Sequence, residues 1–254
     1  MTLHIQDLAQ GYGRNDVISG INVDVPIGKI VCILGPNGSG KSTLIKTVSN
    51  IMTPRKGSVS VDGVNVHEMS PKEISRTIGY VPQKYVPADY MKVIDTILIG
   101  RAPYITWSFS DEDFDHADRA IEAMDIGDLA EMNTNELSGG QIQKVLIARA
   151  LAQDPLYYIL DEPTSALDLK NQIVALRTIK NIVSTGKAGA LVALHDLNLA
   201  MRFTDEVVML HEGHIFTQGP PEEAITTDSI ETVYGVHSEI FKNEKGTFIH
   251  IIED

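Results

Sequence analysis

The sequence predicts an α/β domain with a helical insertion near its middle. Three observations carry this. Short apolar runs at Ile30–Leu34, Leu156–Leu160, Ala190–Leu194 and Val207–Leu210 are separated by helical patterns, the signature of parallel β-α units. From about residue 85 to residue 152 strand-like runs vanish and helical periodicity takes over. A glycine-rich loop, GPNGSGKST, joins the strand IVCIL to a following helix.

The elements read in order as follows. β-like stretches fall around His4–Leu8 and Val17–Val25, then the buried strand Ile30–Leu34 and a helix over Lys41–Ile51. Gly57–Gly63, GSVSVDG, alternates and closes on an Asp-Gly turn signal, and Ile78–Val81 is another short strand. Within the insertion, helices fall at Val93–Gly100, Glu112–Met124 and Gln141–Ala152. The alternation then resumes with strand Leu156–Leu160, helix Asp168–Val183, and strands Ala190–Leu194 and Val207–Leu210. The tail Ser238–Ile252 has the pattern of a hairpin turning over Asn243–Gly246.

The totals narrow the function. A chain of 254 residues is long enough for a full core. No apolar run approaches the roughly 20 residues that span a bilayer, and the start lacks a basic segment followed by an apolar one, so no secretory signal is expected. Cys32 is the only cysteine, which excludes an internal disulfide. The formal net charge of −13 opposes a phosphate-tracking surface for nucleic acid and direct adhesion to anionic lipid. It leaves room for one nucleotide in one local pocket.

GPNGSGKST, Gly35 to Thr43, fits G-x-x-x-x-G-K-[ST] with a strand before it and a helix after it. Phosphate oxygens must come close to backbone N–H groups, which explains Gly35, Gly38 and Gly40 among Pro36, Asn37 and Ser39. The helix beginning near Lys41 turns its positive end toward the anion, Lys41 adds a full charge, and the Ser42 hydroxyl can ligate Mg²⁺. LYYILDEP ends a strand in two carboxylates: Asp161 can hold Mg²⁺, and Glu162 can orient or deprotonate an attacking water. Tyr157 and Tyr158 are read as core aromatics. His195 and Gln83 each follow a strand, His195 in reach of a terminal phosphate and Gln83 in reach of metal or water.

NELSGGQIQKVLIARAL poses a separate problem. Ser138 and Gln141 form a capping box, yet Gly139 and Gly140 sit inside it, where glycine costs about 1 kcal/mol against alanine. Bare backbone at a helix start makes sense if an anion must come close. The residues leave open whether Gly38–Ser42 and Ser138–Gln141 grip one nucleotide within a single chain.

Taken in order, GPNGSGKST, the Gln83 loop, LSGGQ, ILDEP, SALD and His195 resemble the nucleotide-binding subunit of ABC transporters, over essentially the whole chain. The resemblance implies a P-loop NTPase fold of the ABC ATPase type. It would span residues 1–254, with an N-terminal antiparallel β region and an inserted helical subdomain at about 85–152. It implies a head-to-tail homodimer with two ATP molecules, each between the phosphate loop of one subunit and Ser138–Gln141 of the other. Tyr12, in QGYG, matches the family's adenine-stacking aromatic, and Asp168, in SALD, the residue coupling the two sites; Asp168 also suits a helix cap. The insertion would receive short helices of integral membrane permease subunits. The Gln83 loop, running into Lys84–Met91, would carry motion to ATP, and Trp107 is either a groove aromatic or an idle one. Lys144 stands where the family often has arginine.

VIDTILIGRAPY, HDLNLAMRFTDEVVMLHEGHIFTQGPPEEAIT and the VYGV segment resemble ATPases of iron-siderophore, haem and cobalamin importers. That implies a place on the cytoplasmic face of the membrane, held by permease subunits that work with a substrate-binding protein. His211 and His214 flank a turn without further ligands and are not read as a metal site. The alternatives are a soluble ABC ATPase outside transport, an importer ATPase for another metal or small solute, and a non-hydrolytic nucleotide-binding module. The first lacks its usual coiled coil or tandem unit here, and intact Glu162 and His195 oppose the last.

Overall fold

The computed structural model describes residues 1–85, 90–244 and 246–252. In chain order it contains β1 (Thr2–Tyr12), β2 (Asn15–Pro26), β3 (Ile30–Leu34), α1 (Lys41–Val48), β4 (Lys56–Val61), β5 (Val64–Asn65), α2 (Pro71–Thr77) and β6 (Ile78–Val81). Then follow α3 (Val93–Leu98), α4 (Asp111–Met124), α5 (Gly139–Gln153), β7 (Tyr157–Asp161), α6 (Leu169–Ser184), β8 (Gly189–Ala193) and α7 (Leu197–Phe203). The chain closes with β9 (Glu206–His211), β10 (His214–Gly219), α8 (Pro221–Ala224), α9 (Thr227–Tyr234), β11 (His237–Asn243) and β12 (Gly246–Ile252).

Among the described residues the strands form three sheets. The first has the order β2-β1-β4-β5 and is antiparallel throughout. The second has the order β10-β9-β3-β8-β7-β6, parallel except for β10. The third is the β11–β12 hairpin. Strands β3, β7 and β8 are buried on both faces, which is why they read as continuous apolar runs. One face of the parallel sheet packs against β1, β2, β4 and α1, and the other against the helices from α3 to α9. Tyr157 and Tyr158 are both in the core, as expected.

Several boundaries differ from the sequence reading for identifiable reasons. β1 runs well past His4–Leu8 because it is bulged: its register with β2 shifts three times after Ile5, and Asp7 has φ 44°. The bulges interrupt the two-residue alternation by which a strand is recognised. α1 stops at Val48 rather than Ile51 because Asn50 turns left-handed, at φ 59°. α5 starts at Gly139, so both glycines occupy its first helical positions behind the Ser138 cap. Asp168 is the N-cap of α6 and not its first residue. Helix α2 was not anticipated, although Ser70-Pro71-Lys72-Glu73 carries its signal, a capping box with proline at the first position. Of the segment Lys84–Met91, residues 86–89 lie outside the described residues, as does residue 245 in the tail turn.

Candidate active site

Four strands of one parallel sheet, adjacent in the order β3-β8-β7-β6, point their C-terminal ends the same way. Each end delivers one predicted element: the Gly35–Thr43 loop after β3, His195 after β8, Asp161 and Glu162 at the end of β7, and Gln83 after β6. This is where open parallel sheets bind ligands.

The phosphate loop is shaped as much by its own packing as by access. Gly35, Gly38 and Gly40 have φ 148°, 82° and 104°. A Cβ at Gly35 would lie 2.4 Å from the Leu210 carbonyl, and one at Gly40 would lie 2.3 Å from Ile18. Open space surrounds Gly38 alone, so only there does the expected reason, room for phosphate, act without a second one. Gly40 caps α1 with no side-chain hydrogen bond, so the first N–H groups of the helix are left for a ligand. The buried Ser39 hydroxyl has no hydrogen-bond partner among the described residues. Asn37 is exposed on the loop, and Thr43 is buried one turn into the helix.

Lys41 is 5% exposed and folds back over the loop, donating to the Gly35 carbonyl at 2.7 Å and the Pro36 carbonyl at 3.1 Å. Burial lowers its pKa below the ordinary lysine value, against the opposing pull of Glu162 and Asp161. The Ser42 hydroxyl donates to Asp161 Oδ1 at 3.0 Å. Burial raises the Asp161 pKa, and the Ser42 bond counters it. Two hard oxygen donors this close, beside an anion-binding helix start, fit Mg²⁺.

Glu162 is 6% exposed and holds a left-handed backbone, φ 51°, that positions its side chain one residue past the strand. Its N–H continues the ladder to the Ala193 carbonyl at 3.2 Å. His195 Nε2 meets Glu162 Oε1, and Gln83 Nε2 donates to Glu162 Oε2. Both carboxylate oxygens are therefore engaged. Gln83 and His195, expected to reach metal and phosphate, converge here on the Glu162 carboxylate. Beyond Gln83, the Tyr85 ring lies 5.7 Å from the Arg149 guanidinium of α5, which links this loop to the insertion.

Ser138–Gln141 lies elsewhere. Ser138, Gly140 and Gln141 line a cavity with Asp125, Lys144 and Asp168, and no hydrogen bond among the described residues joins them to the phosphate loop. The capping box is complete, with Ser138 accepting from the Gln141 N–H and Gln141 from the Ser138 N–H. The two glycines part company here. A Cβ at Gly140 would lie 2.9 Å from the Ala166 carbonyl, so packing within the chain already demands glycine, whereas Gly139 faces open space. Asp168 caps α6 by accepting from the Asn171 N–H at 2.8 Å. Lys144 donates to the Asp125 carbonyl at the end of α4, at 2.9 Å. Tyr12 is 57% exposed at the β1–β2 turn, on the hairpin whose Val17 and Ile18 back Gly40.

A family profile described as ABC transporter matches residues 18–165. The chain belongs to the ABC transporter family. It is 39% identical to an uncharacterised ABC transporter ATP-binding protein of Methanocaldococcus jannaschii, over 97% of this chain and 96% of that one. It is 36% identical to the ferric enterobactin transport ATP-binding protein of Escherichia coli, over 91% and 86%. A metal-chelate type ABC transporter in an inward-facing conformation superposes with TM-score 0.83 at 26% identity, covering 99% of this chain and 96% of that one. A dimeric ATP-binding cassette in a post-hydrolysis state, bound to ADP and phosphate, superposes with TM-score 0.77 at 26% identity, over 86% and 98%. The cassette fold and the ATPase class expected from the sequence hold for this ABC ATPase.

Among the described residues no helix is long and apolar enough to cross a membrane. His211 and His214 face each other across the β9–β10 turn, and among the described residues no group of three or more His, Cys, Asp or Glu side chains is placed to hold a metal ion. Trp107 is 97% exposed and stands outside the groove lined by Ile78, Tyr80, Ile99, Pro103 and Arg149. Sequence reading missed Asn198 and Tyr234, both close to the site; neither has a pattern that separates it from an ordinary helix residue.

Proposed function

We propose that this ABC ATPase hydrolyses ATP to drive an importer of chelated iron or a related metal chelate, such as a siderophore, haem or cobalamin. The carrying observation is the gathering of the Gly35–Thr43 loop, Asp161, Glu162, Gln83 and His195 at four adjacent strand ends. The unit is the whole chain, 1–254, with the helical subdomain at about 85–152 as the part that meets permease subunits.

The residues divide the chemistry. Tyr12 offers its ring to adenine. The bare N–H groups of α1 and Lys41 hold the outer phosphates. Ser42 and Asp161 would hold Mg²⁺, which supplies neutralisation of phosphate charge when bound. Gln83 would add an amide oxygen to that shell. Glu162 accepts the proton of the attacking water as the water oxygen bonds to the γ-phosphorus and the bond to the β-phosphate oxygen breaks, releasing ADP and phosphate. For that, one of the two contacts on Glu162 must open, and His195 is then free to turn to the γ-phosphate. Ser138–Gln141, with Gly139 bare, takes the γ-phosphate bound by a second copy, and Asp168 lies beside it to link the two sites.

The subunit would sit on the cytoplasmic face of the membrane through its permease subunits, with a binding protein delivering cargo to them. The assembled complex, purified through a tag on this chain, tests the cargo. A membrane subunit together with a bound metal chelate is the predicted result. A complex that carries an unrelated solute, or a chain found only with soluble partners, contradicts it.

A further inference from the structure

His195 is the middle residue of the three-residue link between β8 and α7. On one side, the Leu194 N–H is held by the Ile33 carbonyl at 3.1 Å, inside the sheet. On the other, Asp196 caps α7, accepting from the Asn198 N–H at 2.8 Å and the Leu199 N–H at 3.0 Å. The Asn198 side chain then leaves the helix for the C-terminal hairpin. Its Nδ2 donates to the Ile249 carbonyl at 3.1 Å, and its Oδ1 accepts from the Ile249 N–H at 2.8 Å. An amide is the side chain that matches a peptide group in both directions. Asn198 thus satisfies the outer edge of β12 as a neighbouring strand would, and Ile249 itself is buried in the main core.

The His195 side chain is 42% exposed and borders a cavity of about 440 Å³ walled by Leu197, Tyr234, Val236, Ile249 and Ile251. Further along α7, Leu199 and Ala200 are buried in the main core. Just beyond the far end of the helix, the Asp205 N–H donates to the Ile30 carbonyl at 2.9 Å and the Asp205 carboxylate accepts from the Ile30 N–H at 2.8 Å. The Asn198 contacts therefore join the His195 end of the helix to the hairpin, while the far end is held separately.

We propose that the β11–β12 hairpin positions His195 against Glu162, and that Asn198 is the positioning residue through which it acts. The consequence for turnover rests on the ATPase reading above; the consequence for His195 itself does not. Asn198→Leu keeps the branched heavy-atom skeleton without its hydrogen-bonding groups and suits the apolar wall of the cavity, so it tests the contact without emptying the site, and Asn198→Ala serves as the second variant.

Two measurements on the full chain decide the matter. In steady-state ATP turnover, each variant should lower kcat about fivefold to tenfold with KM for ATP held within about twofold, and should have no further effect in a His195→Ala background. The His195 ring-proton resonances, assigned by their loss in His195→Ala, should move toward those of an unpaired histidine in both variants. Unchanged kcat, or the same loss in the His195→Ala background, overturns the proposal. So does an unmoved His195 resonance, whatever the turnover. A wild-type chain without ATP turnover would instead sink the ATPase reading, and the resonance would still decide the positioning claim.

Discussion

At the residue scale the proposed chemistry rests on Glu162. It is buried, left-handed in backbone, and gripped through both oxygens by His195 and Gln83. Glu162→Gln keeps the shape and removes the base. It should retain ATP binding and lose at least about 100-fold in kcat; a variant that turns over at the wild-type rate would remove Glu162 from the mechanism. The two glycines of LSGGQ give a paired test. Gly140→Ala pushes a methyl toward the Ala166 carbonyl and should destabilise the fold by about 1–3 kcal/mol in thermal unfolding. Gly139→Ala meets nothing, so stability should hold or rise by up to about 1 kcal/mol while turnover falls. Turnover unaffected in Gly139→Ala would mean that no phosphate approaches there. The residues gathered at the four strand ends were legible in the sequence because each follows an apolar strand or opens a helix. What the sequence did not disclose was partnership: that Gly140 owes its identity to Ala166, and that Gln83 and His195 meet on one carboxylate.

At the scale of elements, the two proposed phosphate-binding helix starts differ. α5 is capped by its own side chain, whereas α1 opens on Gly40 with none, which leaves its first N–H groups for an anion. The insertion is tied together by a buried ion pair. Arg101 Nε meets Asp113 Oδ1 at 2.9 Å, its guanidinium also donates to the Ala152 carbonyl, and the Tyr104 ring lies 4.0 Å away. The Ser110 N–H, and then Arg101, hold the Asp113 carboxyl below its ordinary pKa in spite of burial. A depressed carboxyl stabilises the fold above its unfolded value, and that contribution is lost as pH falls through the folded value. Asp113→Asn should therefore cost about 3 kcal/mol at neutral pH, and the gap to wild type should close as pH drops below about 4. A gap that persisted unchanged in acid would assign the loss to packing. Sequence reading gave this helix almost to the residue, but assigned no role to its acidic start. No periodicity reveals that one of three consecutive acids turns inward to an arginine twelve residues earlier. β1 was clipped for a related reason, since bulges break the alternation that marks a strand.

At the scale of the whole molecule, the strand order explains why residues from Gly35 to His195 share one site, and why Ser138 does not join them. Parallel β-α units were legible as alternation; their order in the sheet was not, because it is settled by crossovers between elements distant in sequence. The proposed two-chain site pairs the phosphate loop of one copy with the Ser138–Gln141 helix start of another, where Gly139 faces open space. The dimeric cassette bound to ADP and phosphate shares this fold. Ser138→Arg should leave ATP binding to the monomer intact and block turnover; normal turnover in that variant would refute catalysis across two chains. The most direct measurement is the solution mass of Glu162→Gln with ATP and Mg²⁺, taken alone and combined with Ser138→Arg. The mass should double with ATP in the first and stay monomeric in the second. A Glu162→Gln chain that remains a monomer at saturating ATP, or a dimer indifferent to Ser138→Arg, would contradict the account.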